Sequence, residues 1–144
     1  MKNFEELGIS SGFVKGLTEL NIDTPTDIQK KVITVLLAGA TDIVAQAQTG
    51  TGKTAAYGLP LLEQMDSNMS SVQGLILCPT RELAQQVAKQ LFKFTKYSAK
   101  IFTEAVYGGE HIDRQIASLQ RPTQIIVATP GRLIDLVTRK AVNL

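Results

Sequence analysis

Apolar residues recur along this chain with two spacings that alternate from segment to segment. Helical spacing predicts a helix over residues 10–20 and a longer one over 81–94. Short apolar runs at 74–78 and 124–128 are typical of buried strands, and a looser alternation over 100–107 predicts a third strand. Strands separated by helices imply right-handed crossovers. The pattern therefore predicts an α/β fold with a parallel sheet and helices on both faces.

Four other segments are predicted to be helical. One runs from about 26 to 37, because Thr26 stands three residues before Gln29, which is the pattern of a capped N-terminus. The remaining three helices are predicted over 53–65, 111–119 and 131–139.

The most distinctive stretch follows an apolar run at 42–45, which we predict to be a buried strand. It consists of Ala47, Gln48, Thr49, Gly50, Thr51, Gly52, Lys53 and Thr54. A strand, a glycine-containing turn and a helix that opens with Gly-Lys-Thr form the arrangement of a phosphate-binding loop. Gly50 and Gly52 let successive amides converge on an anion. Lys53 supplies a charge for the terminal phosphates, and the Thr54 hydroxyl can bind Mg²⁺.

Composition narrows the protein class. The chain has 144 residues, is 44% hydrophobic and 19% charged, and carries a net charge of +2, which is ordinary for one soluble globular domain. Its one cysteine, Cys78, excludes an internal disulfide and is expected to be buried. We find no signal peptide pattern and no apolar run of membrane-spanning length, so we expect a cytoplasmic protein with no membrane partner.

Motif-like segments follow four of the predicted strands, at 47–54, 79–84, 108–109 and 129–132. In open α/β sheets, ligands bind at the carboxyl ends of the strands. Taken singly, the prolines of these segments could simply end strands, and the arginines could lie in solvated first helical turns. Four such segments at one edge favour a series of contacts to phosphate oxygens instead.

These residues together resemble the N-terminal ATP-binding domain of a DEAD-box RNA helicase. Residues 24–29 resemble the Q motif of that family, and Phe4 stands at the position of its upstream aromatic residue. Residues 47–54 match motif I, including its alanine. The segments 79–84, 108–109 and 129–132 match motif Ia, the paired glycines and motif Ib. The resemblance covers almost the whole chain and implies a RecA-like P-loop NTPase fold.

The resemblance also implies roles in ATP binding. Gln29 would recognise the edge of adenine, which would favour ATP over GTP, and Phe4 would pack near it. The motif usually has a glycine and an aromatic residue where this chain has Asn21 and Ile22, so Ile22 would cover adenine without stacking. Lys53 and Thr54 would act as the catalytic residues of the loop. The predicted ATP and Mg²⁺ site comprises Phe4, Ile22, Thr24, Gln29, Ala47, Gln48, Thr49, Gly50, Thr51, Gly52, Lys53 and Thr54, with Thr54 as the metal ligand.

A second set of residues would bind single-stranded or duplex RNA through its backbone, without regard to sequence. This set comprises Pro79, Thr80, Arg81, Gly108, Gly109, Thr129, Pro130, Gly131 and Arg132.

The Asp-Glu-Ala-Asp sequence that gives the family its name does not occur in this chain. We therefore expect residues 1–30 to form a Q-motif region and residues 31–144 to form a helicase domain that is incomplete at its C-terminal end. A second RecA-like domain of the full-length protein is the implied partner. We expect the 144 residues alone to be nearly inactive, and to self-associate through an exposed apolar sheet edge at 43–45.

Two alternatives remain open at this point. Another P-loop NTPase, such as a DNA helicase or a small-molecule kinase, would share the loop, although Gln29 and the segment 129–132 argue against it. A non-catalytic ATP- or RNA-binding module would need no hydrolytic carboxylates. His111, the only histidine, is expected to lie on the surface or at a helix cap.

Overall fold

The computed structural model describes residues 3–144; the first two residues of the predicted Q-motif region lie outside this range. The chain divides into two compact units, one of residues 3–64 and 93–98 and the other of residues 65–92 and 99–144. The elements in chain order are α1 (Ser11–Glu19), α2 (Asp27–Ala38), α3 (Lys53–Glu63), β1 (Gly74–Leu77), α4 (Arg81–Phe94), β2 (Thr103–Val106), α5 (Ile112–Leu119), β3 (Ile125–Ala128) and α6 (Pro130–Thr138).

The predicted cap of α2 is confirmed in the first unit. The Gln29 amide donates to the Thr26 hydroxyl at 3.4 Å, and the Thr26 amide donates to Gln29 Oε1 at 2.9 Å, which completes a capping box. The helix buries Val32 and Ile33, whereas Val35 is exposed.

The backbone at the end of α1 explains why Asn21 can occupy the position at which the Q motif usually has glycine. The Ile22 amide donates to the Leu17 carbonyl and the Asn21 amide to the Thr18 carbonyl, both at 2.9 Å. These bonds form a Schellman motif, which requires a left-handed residue at Asn21. Its φ is 59°, and asparagine tolerates that conformation better than most residues with a Cβ.

The predicted strand at 42–45 is wrong. Residues 41–48 are neither helix nor strand, and Ile43 and Val44 are exposed. A strand requires a neighbour that pairs with its amides and carbonyls. The sheet within residues 3–144 consists of β1, β3 and β2 only.

The three strands of the second unit form the predicted parallel sheet, in the order β1-β3-β2. Leu77 of β1 and Val106 of β2 both stand opposite Ala128 of β3, so the three strands end in one row. We call the residues that follow this row, 78–80, 107–109 and 129–131, the carboxyl edge. Such an edge is where α/β sheets bind ligands.

The core of the second unit surrounds β3, whose four residues are all buried. Ile126 and Ala128 pack against Leu133 and Leu136 of α6, with apolar residues of α5 beside them.

The helical spacing of apolar residues predicts Leu83, Val87, Leu91 and Phe94 on the buried side of α4. The last three are buried, but Leu83 is exposed and Ala84 is buried in its place.

Cys78 is buried and free, as expected, and burial raises the pKa of its thiol. Within residues 3–144, the helices are too short or too polar for any of them to cross a bilayer.

Candidate functional site

The loop of residues 47–54 curls at its two glycines. Gly50 and Gly52 have φ values of 83° and 84°, in the left-handed region that other residues rarely adopt. Gly52 is the N-cap of α3, and the Thr51 hydroxyl donates to the Gln48 carbonyl at 2.6 Å. The first amides of α3 have no acceptor within the helix, and they point toward the loop.

Lys53 closes this loop on itself. Its ammonium group donates to the Ala47 carbonyl at 2.8 Å, across the turn that contains both glycines. Lys53 is exposed, so its charge is accessible to an anion at the loop. Thr54 follows in the first turn of α3 and is half-buried. An ammonium, a hydroxyl and the amides at the start of one helix are groups that bind phosphate oxygens.

Gln29 connects the start of α2 with this loop. It is 3% exposed, its Nε2 donates to the Gly52 carbonyl at 3.1 Å, and the Thr26 hydroxyl donates to the neighbouring Thr51 carbonyl at 2.9 Å. A Cβ on Gly52 would collide with the Gln29 side chain. The Q-motif glutamine and the loop are therefore brought together.

The other residues of the predicted ATP site that lie outside the loop differ in exposure. Phe4 is 1% exposed and is part of the core of the first unit. Ile22 is half-buried, and Thr24 is exposed. Their contact with a nucleotide stays a prediction.

All three predicted RNA-binding segments of the second unit emerge at the carboxyl edge. The Thr80 hydroxyl accepts from the Leu83 amide at 3.2 Å and so caps the first turn of α4. Thr129 is the N-cap of α6, and its side chain makes no capping bond. Pro79, Gly108, Gly109, Pro130 and Gly131 are exposed.

Arg81 is held at this edge by an acidic residue. Its Nη2 forms an ion pair with Glu110 Oε1 at 3.1 Å, and its guanidinium carbon lies 5.1 Å from the centre of the Tyr107 ring. The Tyr107 hydroxyl accepts from Gln85 Nε2 at 2.9 Å. A Cβ on Gly109 would lie 2.9 Å from Arg81 Nη1, so a side chain at that position would crowd the arginine.

Arg132 is held by the same residue through the backbone. Both of its terminal nitrogens donate to the Glu110 carbonyl at 3.2 Å, and Nη1 also donates to Gln115 Oε1 at 3.0 Å. Gln115 is 8% exposed, and its Nε2 donates to the Tyr107 carbonyl at 2.9 Å. Arg81 and Arg132 thus converge on Glu110, one on its carboxylate and the other on its carbonyl.

Sequence reasoning missed Glu110, Gln115 and Tyr107. A signal for Gln115 was present, because it stands between Ile112 and Ile116 on the apolar side of α5, where a polar side chain needs a buried partner.

His111 is exposed and is the N-cap of α5, as expected of a surface residue. Within residues 3–144, histidine, cysteine and acidic residues form no cluster of three that could hold a metal ion.

Residues 26–144 match the family described as DEAD/DEAH box helicase. The chain is 45% identical over 144 residues to the DEAD-box ATP-dependent RNA helicase CshA of Bacillus cereus. The aligned region covers all of this chain and 27% of that protein. It is 49% identical over 141 residues to the RNA helicase CrhR of Synechocystis, covering 98% of this chain and 28% of that protein. The chain therefore spans about a quarter of the length of these relatives.

Solved structures of DEAD-box proteins have the same fold as this chain. A DEAD box protein from the hyperthermophile Methanococcus jannaschii superposes with a TM-score of 0.91 at 40% identity, over 99% of this chain and 38% of that one. Dbp5 of S. cerevisiae, bound to RNA and ADP BeF3, superposes with a TM-score of 0.89 at 33% identity, over 100% of this chain and 36% of that one. The predicted RecA-like α/β fold is confirmed.

Proposed function

Because this chain belongs to the DEAD/DEAH box helicase family, we propose that it is the ATP- and RNA-binding part of the first domain of an ATP-dependent RNA helicase. The observation that carries the proposal is the loop of residues 47–54. It is curled by two left-handed glycines at the start of α3, closed by Lys53 and hydrogen-bonded to Gln29. The division into a Q-motif region, 1–30, and a partial helicase domain, 31–144, is part of this proposal.

The triphosphate is proposed to bind inside the loop. Lys53 would exchange the Ala47 carbonyl for oxygens of the β- and γ-phosphates, while the amides at the start of α3 bind the same anion. The donors present fit a phosphate, since they are an ammonium group, a hydroxyl and amides without a helical acceptor. Thr54 would hold Mg²⁺ together with phosphate oxygens, and the ion would neutralise charge on the phosphates.

Gln29 is proposed to bind the edge of adenine without leaving the loop. Its oxygen accepts one hydrogen bond from the Thr26 amide, and its nitrogen donates one to the Gly52 carbonyl. An amide side chain has a second lone pair and a second hydrogen. One acceptor and one donor are thus left for the base, which suits the N6 amino group and the N7 atom of adenine; on the same edge, guanine offers the two acceptors O6 and N7.

The carboxyl edge is proposed to bind the RNA backbone. Arg81 and Arg132 supply two cations there, the glycines leave room for a strand to approach, and the start of α6 presents amides without a side-chain cap. Contacts of this kind do not discriminate between bases, so the proposed substrate is RNA of any sequence, single-stranded or duplex.

Hydrolysis is proposed to require more than these 144 residues. The chain contains no Asp-Glu-Ala-Asp sequence, and carboxylates of that kind position the metal and water in phosphoryl transfer. A second RecA-like domain of the full-length protein is the proposed partner for turnover. Self-association of the 144 residues also belongs to the proposal; because residues 43–45 do not form a sheet edge, it would rest on the exposed apolar side chains of Ile43 and Val44.

Lys53→Ala in the full-length protein tests the loop. We expect the affinity for a fluorescent ATP analogue to fall roughly a hundredfold, because a charge-assisted contact worth about 3 kcal/mol is lost. RNA-stimulated release of phosphate should be lost with it. Lys31→Ala is the matched control, since Lys31 is an exposed lysine of α2 outside the loop, and it should change neither quantity.

Unchanged ATP affinity in Lys53→Ala would reject the loop as the nucleotide site. A full-length protein that hydrolyses ATP at the same rate with and without RNA would reject the RNA part of the proposal.

A further inference from the structure

We propose that Glu110 sets how strongly the carboxyl edge binds the RNA backbone, because its carboxylate holds the guanidinium that an RNA phosphate would take. The inference rests on the proposed function and concerns the regulation of the same site. The Glu110 carboxylate would compete with an RNA phosphate for Arg81.

The ion pair is placed where a phosphate could reach it. Glu110 Oε1 lies 3.1 Å from Arg81 Nη2, and the side chains of Glu110 and Arg81 are 37% and 39% exposed. The Arg81 guanidinium lies over the Tyr107 ring, with its carbon 5.1 Å from the ring centre, and Gly109 leaves space beside Nη1 that a side chain would fill. The arginine is therefore held in place while its carboxylate partner stays open to exchange.

The two arginines of the edge differ in charge balance. Arg132 is bound by a backbone carbonyl of Glu110 and the neutral amide of Gln115, so its positive charge is uncompensated by these partners. Arg81 is paired with a carboxylate of opposite charge. A phosphate that binds Arg81 must displace the carboxylate or lie next to it, and both cost free energy.

This arrangement has a consequence for salt dependence. A cation that binds a phosphate releases a condensed counterion from the nucleic acid, which makes binding tighter at low salt. When Arg81 is neutralised by Glu110, that contact adds little to the release. Removal of the carboxylate should restore it, so the gain in affinity should be largest at low salt and fade as salt is added.

Glu110→Gln in the full-length protein is the test. The probe is a short fluorescent oligouridylate, titrated at several salt concentrations in the presence of a non-hydrolysable ATP analogue. We expect binding about threefold to fivefold tighter at low salt, the range of one accessible ion pair. The slope of the logarithm of affinity against the logarithm of salt should steepen by about 0.7. Glu110→Ala should give the same two changes, because alanine also removes the carboxylate that pairs with Arg81.

Asp135→Asn is the matched control. Asp135 Oδ1 and Arg139 Nε form another accessible ion pair, at 3.0 Å and with side chains 45% and 52% exposed, on α6. This substitution changes the net charge by the same amount and opens a pair of the same type. It should leave the RNA affinity and the salt slope close to those of the parent protein.

Four results overturn the inference. Equal RNA affinity of Glu110→Gln and the parent protein rejects it and leaves the proposed function intact, and weaker binding does the same by making Glu110 a supporting residue. An equal gain in Asp135→Asn assigns the effect to net charge. Failure of the parent protein and of Glu110→Gln to bind the oligouridylate rejects the proposed function and the inference together.

Discussion

The loop of residues 47–54 and the carboxyl edge both present groups suited to phosphate oxygens, but they hold their cations differently. In the loop, Lys53 and its acceptor Ala47 lie six positions apart in one continuous segment. At the edge, Arg81 and Arg132 come from different helices, and both are held by Glu110 from a third segment. The first site is made by local sequence, and the second is made by the sheet.

The difference also concerns charge. The Lys53 ammonium is bonded to a neutral carbonyl, so the loop is ready for an anion. Arg81 is already paired with a carboxylate, so the edge must give up an ion pair to bind one. We infer that the loop can bind an anion without breaking an ion pair, whereas the edge binds one more weakly because Arg81 must first give up Glu110.

Gly52→Ala should have the largest effect and should be confined to the loop. Alanine at a φ of 84° is strained, and its Cβ would collide with Gln29, so we expect the free energy of unfolding to fall by up to about 3 kcal/mol. ATP affinity should fall at least tenfold, by roughly 1.4 kcal/mol or more, because the turn opens. Thermal unfolding and titration with a fluorescent ATP analogue measure the two changes.

Gly39→Ala is the control within the same unit. Gly39 has an extended backbone and open space at its Cβ position, so alanine should be tolerated there. Equal tolerance of alanine at Gly52 would show that the loop conformation does not depend on that glycine.

Arg132→Ala should have an intermediate effect and should be confined to the edge. It leaves the oxygen of buried Gln115 without its donor, which should cost about 2 kcal/mol of stability, and it removes one cation from the proposed RNA contact. RNA affinity should fall severalfold while ATP affinity stays unchanged. Arg81→Ala, which opens an exposed ion pair, should cost less than about 1 kcal/mol of stability. Equal stability losses in the two variants would contradict the proposed role of Gln115.

Glu104→Gln should have the smallest effect and separates the stability of the sheet from the chemistry of its edge. Burial raises the pKa of the Glu104 carboxyl on β2, against an opposing effect of Arg121. Because its pKa is higher in the folded state than in the unfolded state, ionisation of this carboxyl lowers the free energy of unfolding as the pH rises. The gain from glutamine should therefore grow between about pH 4 and pH 7, and it should stay below about 1 kcal/mol because the group is partly solvated.

Thermal unfolding across this pH range measures the Glu104→Gln effect, with the values near pH 4 as the internal reference. RNA and ATP affinities should not change. A gain that is the same at both ends of the range would mean that ionisation of Glu104 does not limit stability.

Local signals predicted much of the fold. The capping box at Thr26 and Gln29 and the bounds of α4 follow from residues close in sequence, and the structure confirms them. The strand at 42–45 was wrong because an apolar run does not specify its neighbour, and a strand exists only when it is paired. Leu83 was expected to be buried and is exposed, because the residues three and four positions before buried Val87 both lie on its side of the helix, and spacing alone does not decide between Ala84 and Leu83.

The loop and the carboxyl edge also differ in how far they could be predicted from local sequence. The loop could be placed from its own residues, since glycine conformation and helix-start chemistry are properties of a short segment. The edge could be placed only as a row of segments, because Glu110 and Gln115 acquire their roles through contacts with residues 17 to 29 positions away. Long-range partners of this kind leave only an indirect trace in sequence, such as a polar residue on an apolar helix face.

The bond between Gln29 and the Gly52 carbonyl has a consequence for anyone who would redesign this protein to use a different nucleotide. A new side chain at position 29, chosen to suit guanine, would also remove a hydrogen bond that supports the turn proposed to bind the phosphates. Under the proposed function, base preference and phosphate affinity are thus coupled through one side chain, and a redesign must replace the lost hydrogen bond before it can change the preference.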